Sequence, residues 1–134
     1  MSVVACVTDQ MKKDMLNGVS FSSHTLKIAL YVAANSSLGS TTTVYTATGE
    51  VSGTGYSAGG TTLSGFSVSL AGATAELTFN NPSWPSSTIT ADTAIIYDAS
   101  NANHILCILS FTSASSVAGT FTVQMPSGGV LSIA

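Results

Sequence analysis

An antiparallel all-β domain of sandwich or jelly-roll type, with one short helix at its N-terminal end, is the fold class this sequence predicts. Three observations predict it. Apolar runs short enough for strands recur about eight times at roughly 8–12-residue spacing, punctuated by Gly, Pro and Ser turns. Only one stretch, near the start, has helical spacing. The run from Thr46 to Gly65 is built almost wholly of small residues, with Tyr56 its single aromatic and Glu50 its single charge. Glycine opens backbone conformations that other residues avoid, so backbone shape sets the path of that run. It divides the chain into a helix-plus-strand front and a strand-rich back.

Val4, Val7, Met11 and Met15 recur at helical spacing, with Asp9, Gln10, Lys12 and Lys13 turned away, and this predicts a helix over residues 4–16. Thr8 suits a cap for its second part, and Asn17-Gly18 is a stop signal. Residues 1–20 are therefore expected to form a helical arm and residues 21–134 the β domain. Thr25 to Ala33 predicts a strand with Leu26, Ile28 and Leu30 on one face and Lys27, Ala29 and Tyr31 on the other. Val44 and Tyr45 begin a short strand. Phe66, Val68 and Leu70 alternate, but Leu63 is out of phase with them, which predicts a bulge near Gly65.

Ala73, Ala75, Leu77 and Phe79 share the next strand's apolar face, reached through a turn at residues 70–73. The segment Asn80-Asn-Pro-Ser-Trp-Pro85 is expected to interrupt regular strand structure, with Trp84 plugging one end of the core. Ala91 to Tyr97 and Ile105 to Phe111 are continuous apolar runs, which predicts strands covered on both faces, joined by the turn Asp98-Ala-Ser-Asn-Ala-Asn103. The second face is expected to take the helix or another chain.

The chain has 134 residues, 45% of them apolar and only 7% charged. A typical soluble domain carries about 25% charged residues. The formal net charge is −3, all three cations lie at or before Lys27, and no arginine occurs. Nucleic-acid binding needs a basic face, so that class is excluded, as is a basic membrane-surface helix. No apolar run approaches the ~20 residues of a membrane span. Cys6 and Cys107 have apolar neighbours and are expected to be buried free thiols.

Several motifs invite a chemical reading. Gly55-Tyr-Ser-Ala-Gly59 matches the G-x-S-x-G nucleophile elbow, with Asp92 or Asp98 and then His104 following in hydrolase order. The elbow needs a strand before Ser57 and a helix after it, and Gly60-Thr-Thr-Leu-Ser-Gly65 forms no helix. Gly53-Thr-Gly-Tyr-Ser-Ala58 matches a loose dinucleotide fingerprint and fails the same test. His24 and His104 lack a third ligand at metal spacing. Asp98, Ser100, Asn101 and Asn103 carry oxygens suited to calcium, yet Asx-rich turns adopt this composition without an ion. Glu50 is expected to pin its loop by a hydrogen bond, with Tyr56 as a partner. No catalytic, cofactor or metal site is assigned. Trp84, Tyr45 and Tyr56 are candidate sugar-stacking rings, with core packing as the competing fate.

Lys12-Lys-Asp-Met-Leu-Asn-Gly-Val-Ser-Phe-Ser22, Thr25-Leu-Lys-Ile-Ala-Leu-Tyr31 and Tyr45-Thr-Ala-Thr-Gly-Glu-Val-Ser-Gly-Thr-Gly-Tyr-Ser-Ala-Gly-Gly-Thr-Thr-Leu63 together resemble a group of small structural proteins of tailed bacteriophages. Ala94-Ile-Ile-Tyr-Asp98, Gly119-Thr-Phe-Thr-Val-Gln124 and Gly129-Val-Leu-Ser-Ile133 extend the similarity over nearly the whole chain. The resemblance implies a virion component, placed on the outer capsid surface as a decoration or cement protein. It implies the major capsid protein as a partner, and the charge-poor composition with its doubly covered strands predicts further copies of the chain as neighbours, in a symmetric oligomer such as a trimer. The resemblance carries no catalytic residue. Val4, Val7, Met11, Met15, Tyr56 and Trp84 are the residues expected at the interface. A tail-fibre or receptor-binding module is the alternative, and an enzyme using Ser57 a remote third.

Overall fold

The computed structural model describes residues 3–133. Among the described residues, eight strands form two antiparallel sheets, with a single α-helix near the N-terminal end. The strands are β1 (Val3–Val7), β2 (Leu26–Tyr31), β3 (Thr61–Thr62), β4 (Ser67–Ala71), β5 (Thr74–Thr78), β6 (Ser83–Asp98), β7 (His104–Thr122) and β8 (Leu131–Ile133). The larger sheet has the order β1-β7-β6-β2-β3 and the smaller β4-β5-β8. The fold is all-β with a short N-terminal helix, as the alternation predicts.

The continuous apolar runs form the middle of the larger sheet. β6 and β7 are a long hairpin, 16 and 19 residues, joined across residues 99–103. On its front face, Ile28, Leu30, Ile96 and Leu109 pack with Leu77 and Phe79 of the smaller sheet and with Met11. On its back face, Ala29, Tyr31, Ile95, Tyr97, Ile105 and Ile108 form a second cluster, covered by Leu38 and Tyr45. The predicted two-faced split of residues 26–31 is observed. The back cover differs from expectation: it is the irregular segment 36–60, not the helix or a second chain.

The N-terminal expectation is corrected. Residues 3–7 are a strand, and the helix α1 spans only Asp9–Leu16. Val-Val-Ala-Cys-Val is rich in β-branched residues, which favour a pleated surface, and β7 offers it an edge. Val4 and Val7 reach helical spacing with Met11 by coincidence of a strand running into a helix. Thr8 is the N-cap, its hydroxyl accepting from the Met11 N–H at 3.1 Å, and Asn17 closes the other end. Because β1 belongs to the larger sheet and Met11 to its core, residues 3–20 are not an arm set apart from the β domain. Cys107 is buried as expected, but Cys6 is exposed. It pairs with Ile108 and shares the back face with Val4, beyond the covering segment.

Three further differences have local causes. Val44 makes one isolated bridge, to His104, rather than a strand. Gly65 is the crossing from one sheet to the other, not a bulge within a strand. Pro85 lies inside β6, at the register shift between Trp84 and Ser87. β2 pairs only with residues 93–98 of β6, so Pro85 sits where β6 has β7 on one side alone, as a proline requires. The accessible surface is 6470 Å² for 13.5 kDa. A compact monomer of this mass exposes about 6,500 Å². The chain therefore closes its own core.

Candidate functional site

The glycine-rich segment wraps the outer edge of β2. The Val51 N–H donates to the Leu30 carbonyl at 2.9 Å, the Val32 N–H to Gly49 at 3.1 Å, and β3 pairs with Lys27 and Ile28. Gly60 makes this approach possible. Its φ is +77°, and a methyl group there would overlap the Ile28 carbonyl. Glu50 then knots the segment. Its carboxylate accepts from the Tyr45 hydroxyl at 2.5 Å, the Tyr56 hydroxyl at 2.6 Å and the Gly59 N–H at 2.8 Å. The Tyr56 oxygen in turn accepts from the Leu30 N–H at 2.9 Å. The Tyr31 hydroxyl donates to the Thr46 carbonyl and that of Tyr97 to the Gly59 carbonyl.

All four tyrosines of the chain therefore gather around one carboxylate. Burial raises the pKa of each phenol above its ordinary value, and the negative charge of Glu50 raises it further. Phenols held neutral in this way are hydrogen-bond donors, not activated nucleophiles. The expected pinning role of Glu50, with Tyr56 as partner, is what the geometry shows.

The other chemistry-bearing residues are dispersed. Ser57 is exposed in a turn, and no helix follows it. His104 Nδ1 lies 3.1 Å from Asp14 Oδ2, and His24 Nδ1 lies 2.6 Å from Asp98 Oδ2. Asp92 instead accepts from the Ala33 N–H at 2.8 Å. The serine, acid and histidine of the elbow motif thus do not meet. The Asp98 turn is occupied internally, its second oxygen accepting from the Ser100 N–H at 3.0 Å. Among the described residues, no three His, Cys, Asp or Glu side chains group closely enough to hold a metal ion. Burial and the neighbouring Cys6 push the Cys107 thiol up to about 12, so it is unreactive.

Of the six residues expected at an interface, Met11 and Trp84 are buried within the chain. Trp84 packs on Tyr56 and Phe121, with ring centroids 6.0 and 6.2 Å away, as the predicted core plug. Val7, Met15 and Tyr56 are half-buried, and only Val4 is largely exposed. Helical spacing put the first four on one face, whereas the strand–helix break separates them. Trp84, Tyr45 and Tyr56 are committed to internal packing and the Glu50 knot, so they offer no open stacking platform for a sugar.

The open apolar surface lies elsewhere. Val68 pairs with Leu77 and Leu77 with Leu131, while Leu70 pairs with Ala75 and Ala75 with Ile133. Residues opposite one another share a face, so the smaller sheet has one apolar face. Its inner part, Leu77 and Phe79, joins the core. Its outer part does not: Val68 is 63% exposed, Leu70 76% and Ile133 49%. All five residues of β4 are exposed. Beside them Met11, Met15, Phe21, Val68, Leu77 and Ile133 line an apolar groove of about 130 Å³ between α1 and the sheet. Leu16, at the end of α1, is 91% exposed. The sequence alternation assigns Val68 and Leu70 to this face but holds no signal for how far the cover reaches. No family model matches the chain, and neither the curated proteins nor the solved structures compared with it give a significant match.

Proposed function

We propose that this chain is a structural protein of a tailed-phage virion, a decoration or cement protein that stiffens the outer head shell through protein–protein contacts. The observation that carries the proposal is the exposed apolar surface of a chain whose core is already complete. Val4, Leu16, Val68, Leu70 and Val117 are 63–91% exposed, and the fold needs none of them for its own packing. On a protein with 7% charged residues, such surface favours burial against neighbours. The near-full-length resemblance to small phage structural proteins supports the same reading. The acidic balance favours the outside of the shell, away from packaged DNA.

A shell component of this kind works by area, not chemistry: each copy removes apolar surface from water at the seams of the major capsid lattice. Cryo-EM of the virion tests the reading. Density for this chain repeated over the head lattice is the expected result. Density confined to the tail tip would transfer the chain to the receptor-binding alternative, and absence from the particle would overturn the virion reading altogether.

A further inference from the structure

We propose that β4 is a self-pairing edge: two copies of the chain join antiparallel along Ser67–Ala71, about a two-fold axis at Ser69, and so extend the smaller sheet to six strands. Edge strands are ordinarily blunted by charge, proline, a bulge or a cover. β4 has none of these over its five residues, and every one of them is exposed.

The backbone has the required parity. A two-residue turn, Gly72-Ala73, joins β4 to β5, and Gly72 has φ +62°, as the first central position of a type II′ turn requires. Such a turn closes on a hydrogen-bonded pair, here Ala71 with Thr74, and the pairs then alternate along the ladder. Ser69 and Ser67 spend their N–H and C=O groups on β5, whereas Val68 and Leu70 point theirs to the free edge. The Val130 N–H, donating to the Leu77 carbonyl at 2.8 Å, confirms the parity from the far side of β5. A two-fold axis at Ser69 sets Val68 opposite Leu70 of the second copy and Leu70 opposite its Val68. Two hydrogen-bonded pairs form, with the four side chains side by side on the apolar face next to the groove.

Charge favours a second copy as the occupant. β4 carries no charge, and the nearest carboxylate on the sheet is Glu76, on the polar face of β5. The two Glu76 positions would lie three strand spacings apart, about 14 Å. That exceeds the Debye length of about 8 Å at physiological salt. The contact area sets the strength. One five-residue edge with its flanking side chains falls below the roughly 1,200 Å² of a stable interface, so the pair forms at high local concentration. The inference concerns the isolated chain and does not rest on the virion reading, so the two fail separately.

The test is sedimentation equilibrium of the full chain over a concentration series, together with disulfide trapping. Average mass is expected to rise from 13.5 kDa toward twice that value. Leu70→Lys is expected to weaken association at least tenfold, with Val68→Lys as the second variant if Leu70→Lys does not fold. In a Cys6→Ser background, Ser69→Cys is expected to oxidise to a covalent dimer, because facing residues at a non-hydrogen-bonded position bring their Cβ atoms to about 4.5–5.5 Å. Val117→Cys, equally open but on β7, is the control and is expected to stay monomeric. A single 13.5 kDa species throughout, association indifferent to both lysines, or trapping at residue 117 as fast as at 69 would each overturn the proposal.

Discussion

Both faces of the larger sheet carry a buried apolar cluster, yet they are closed by opposite means. The back is sealed by a segment with almost no regular structure. It is held by close backbone approach at Gly60 and by one carboxylate with its hydroxyl and amide donors. The front is sealed by regular elements, the smaller sheet and α1, which bury Leu77, Phe79 and Met11. The irregular cover fits tightly against β2. The regular cover overshoots, leaving Val68 and Leu70 in water. Regular strands extend by whole residues in a fixed alternation, so a sheet that covers a core can carry its apolar face past the edge of that core. A loop shaped by glycine has no such constraint. The closed face is therefore where stability should be sensitive, and the open face where association should be.

The largest effect is expected at Gly60. Gly60→Ala puts a methyl group against the Ile28 carbonyl at a φ of +77°, which neither backbone can relieve without releasing the segment from β2. A loss of at least about 3 kcal/mol is expected in denaturant unfolding. A loss below about 1 kcal/mol would show that the segment lies on β2 without gripping it.

Glu50→Ala comes next. It removes a charged acceptor from two phenols and one backbone amide. Hydrogen bonds to charged groups are worth about 1.5–3 kcal/mol each, less where water can substitute, so a total loss of about 2–4 kcal/mol is expected. Hydrogen exchange should locate the damage, with the Gly59 amide losing protection while the β6–β7 ladder keeps it until global unfolding. Uniform loss across both regions would mean that the two covers unfold as one unit.

How much of this was legible follows the same division. The strand at 26–31 could be read face by face because apolar side chains occupy both parities. Glu50 could be read because it is the only charge in its segment. The runs at 91–97 and 105–111 declared themselves doubly covered, and they are. What covers the back could not be read, since Leu38 and Tyr45 lie in a segment without periodicity. Residues 3–7 read as helix because five residues are too few to separate a strand from a helix by spacing once Met11 and Met15 continue the pattern. The outer halves of β6 and β7 are hidden in the sequence for a different reason. Thr112 to Thr120 is mostly Ser, Thr and Ala with one exposed valine, so no apolar alternation marks the strand. Its threonines were the available signal. The exposed ends of Val68 and Leu70 lay beyond sequence reasoning altogether, because alternation states which face a side chain takes and not how far the opposing layer extends.

Raised pH tests the closed face without mutation. Burial and the Glu50 charge raise the phenols of Tyr31, Tyr45, Tyr56 and Tyr97 above the ordinary value of 10.0. The fold therefore favours the neutral phenol. Below about pH 10 both folded and unfolded chains keep their phenolic protons, and the contribution to stability is fully present. Above it the unfolded chain ionises while the folded one does not, so stability falls as pH rises, each tyrosine adding up to one proton to the slope. Denaturation midpoints should drop beyond about pH 10, with phenolate absorbance appearing only as the fold is lost. Phenolate absorbance near pH 10 with the fold intact would mean that the cluster is open to water.

The smallest effect on stability is expected on the open face. Leu70 is 76% exposed, so Leu70→Lys removes little burial, and the long lysine stem lies on the same surface with its ammonium in water. Surface substitutions of this kind stay within about 0.5 kcal/mol. The same residue is expected to control association, so one substitution should leave the denaturation curve in place and weaken the association at least tenfold. If Leu70→Lys instead costs 2 kcal/mol or more, in the range of a buried leucine, then Leu70 contributes to the monomer's own packing. The front cover would then end at β4 rather than run past it, and the contrast between a fitted back and an overshooting front would fail at its most exposed residue.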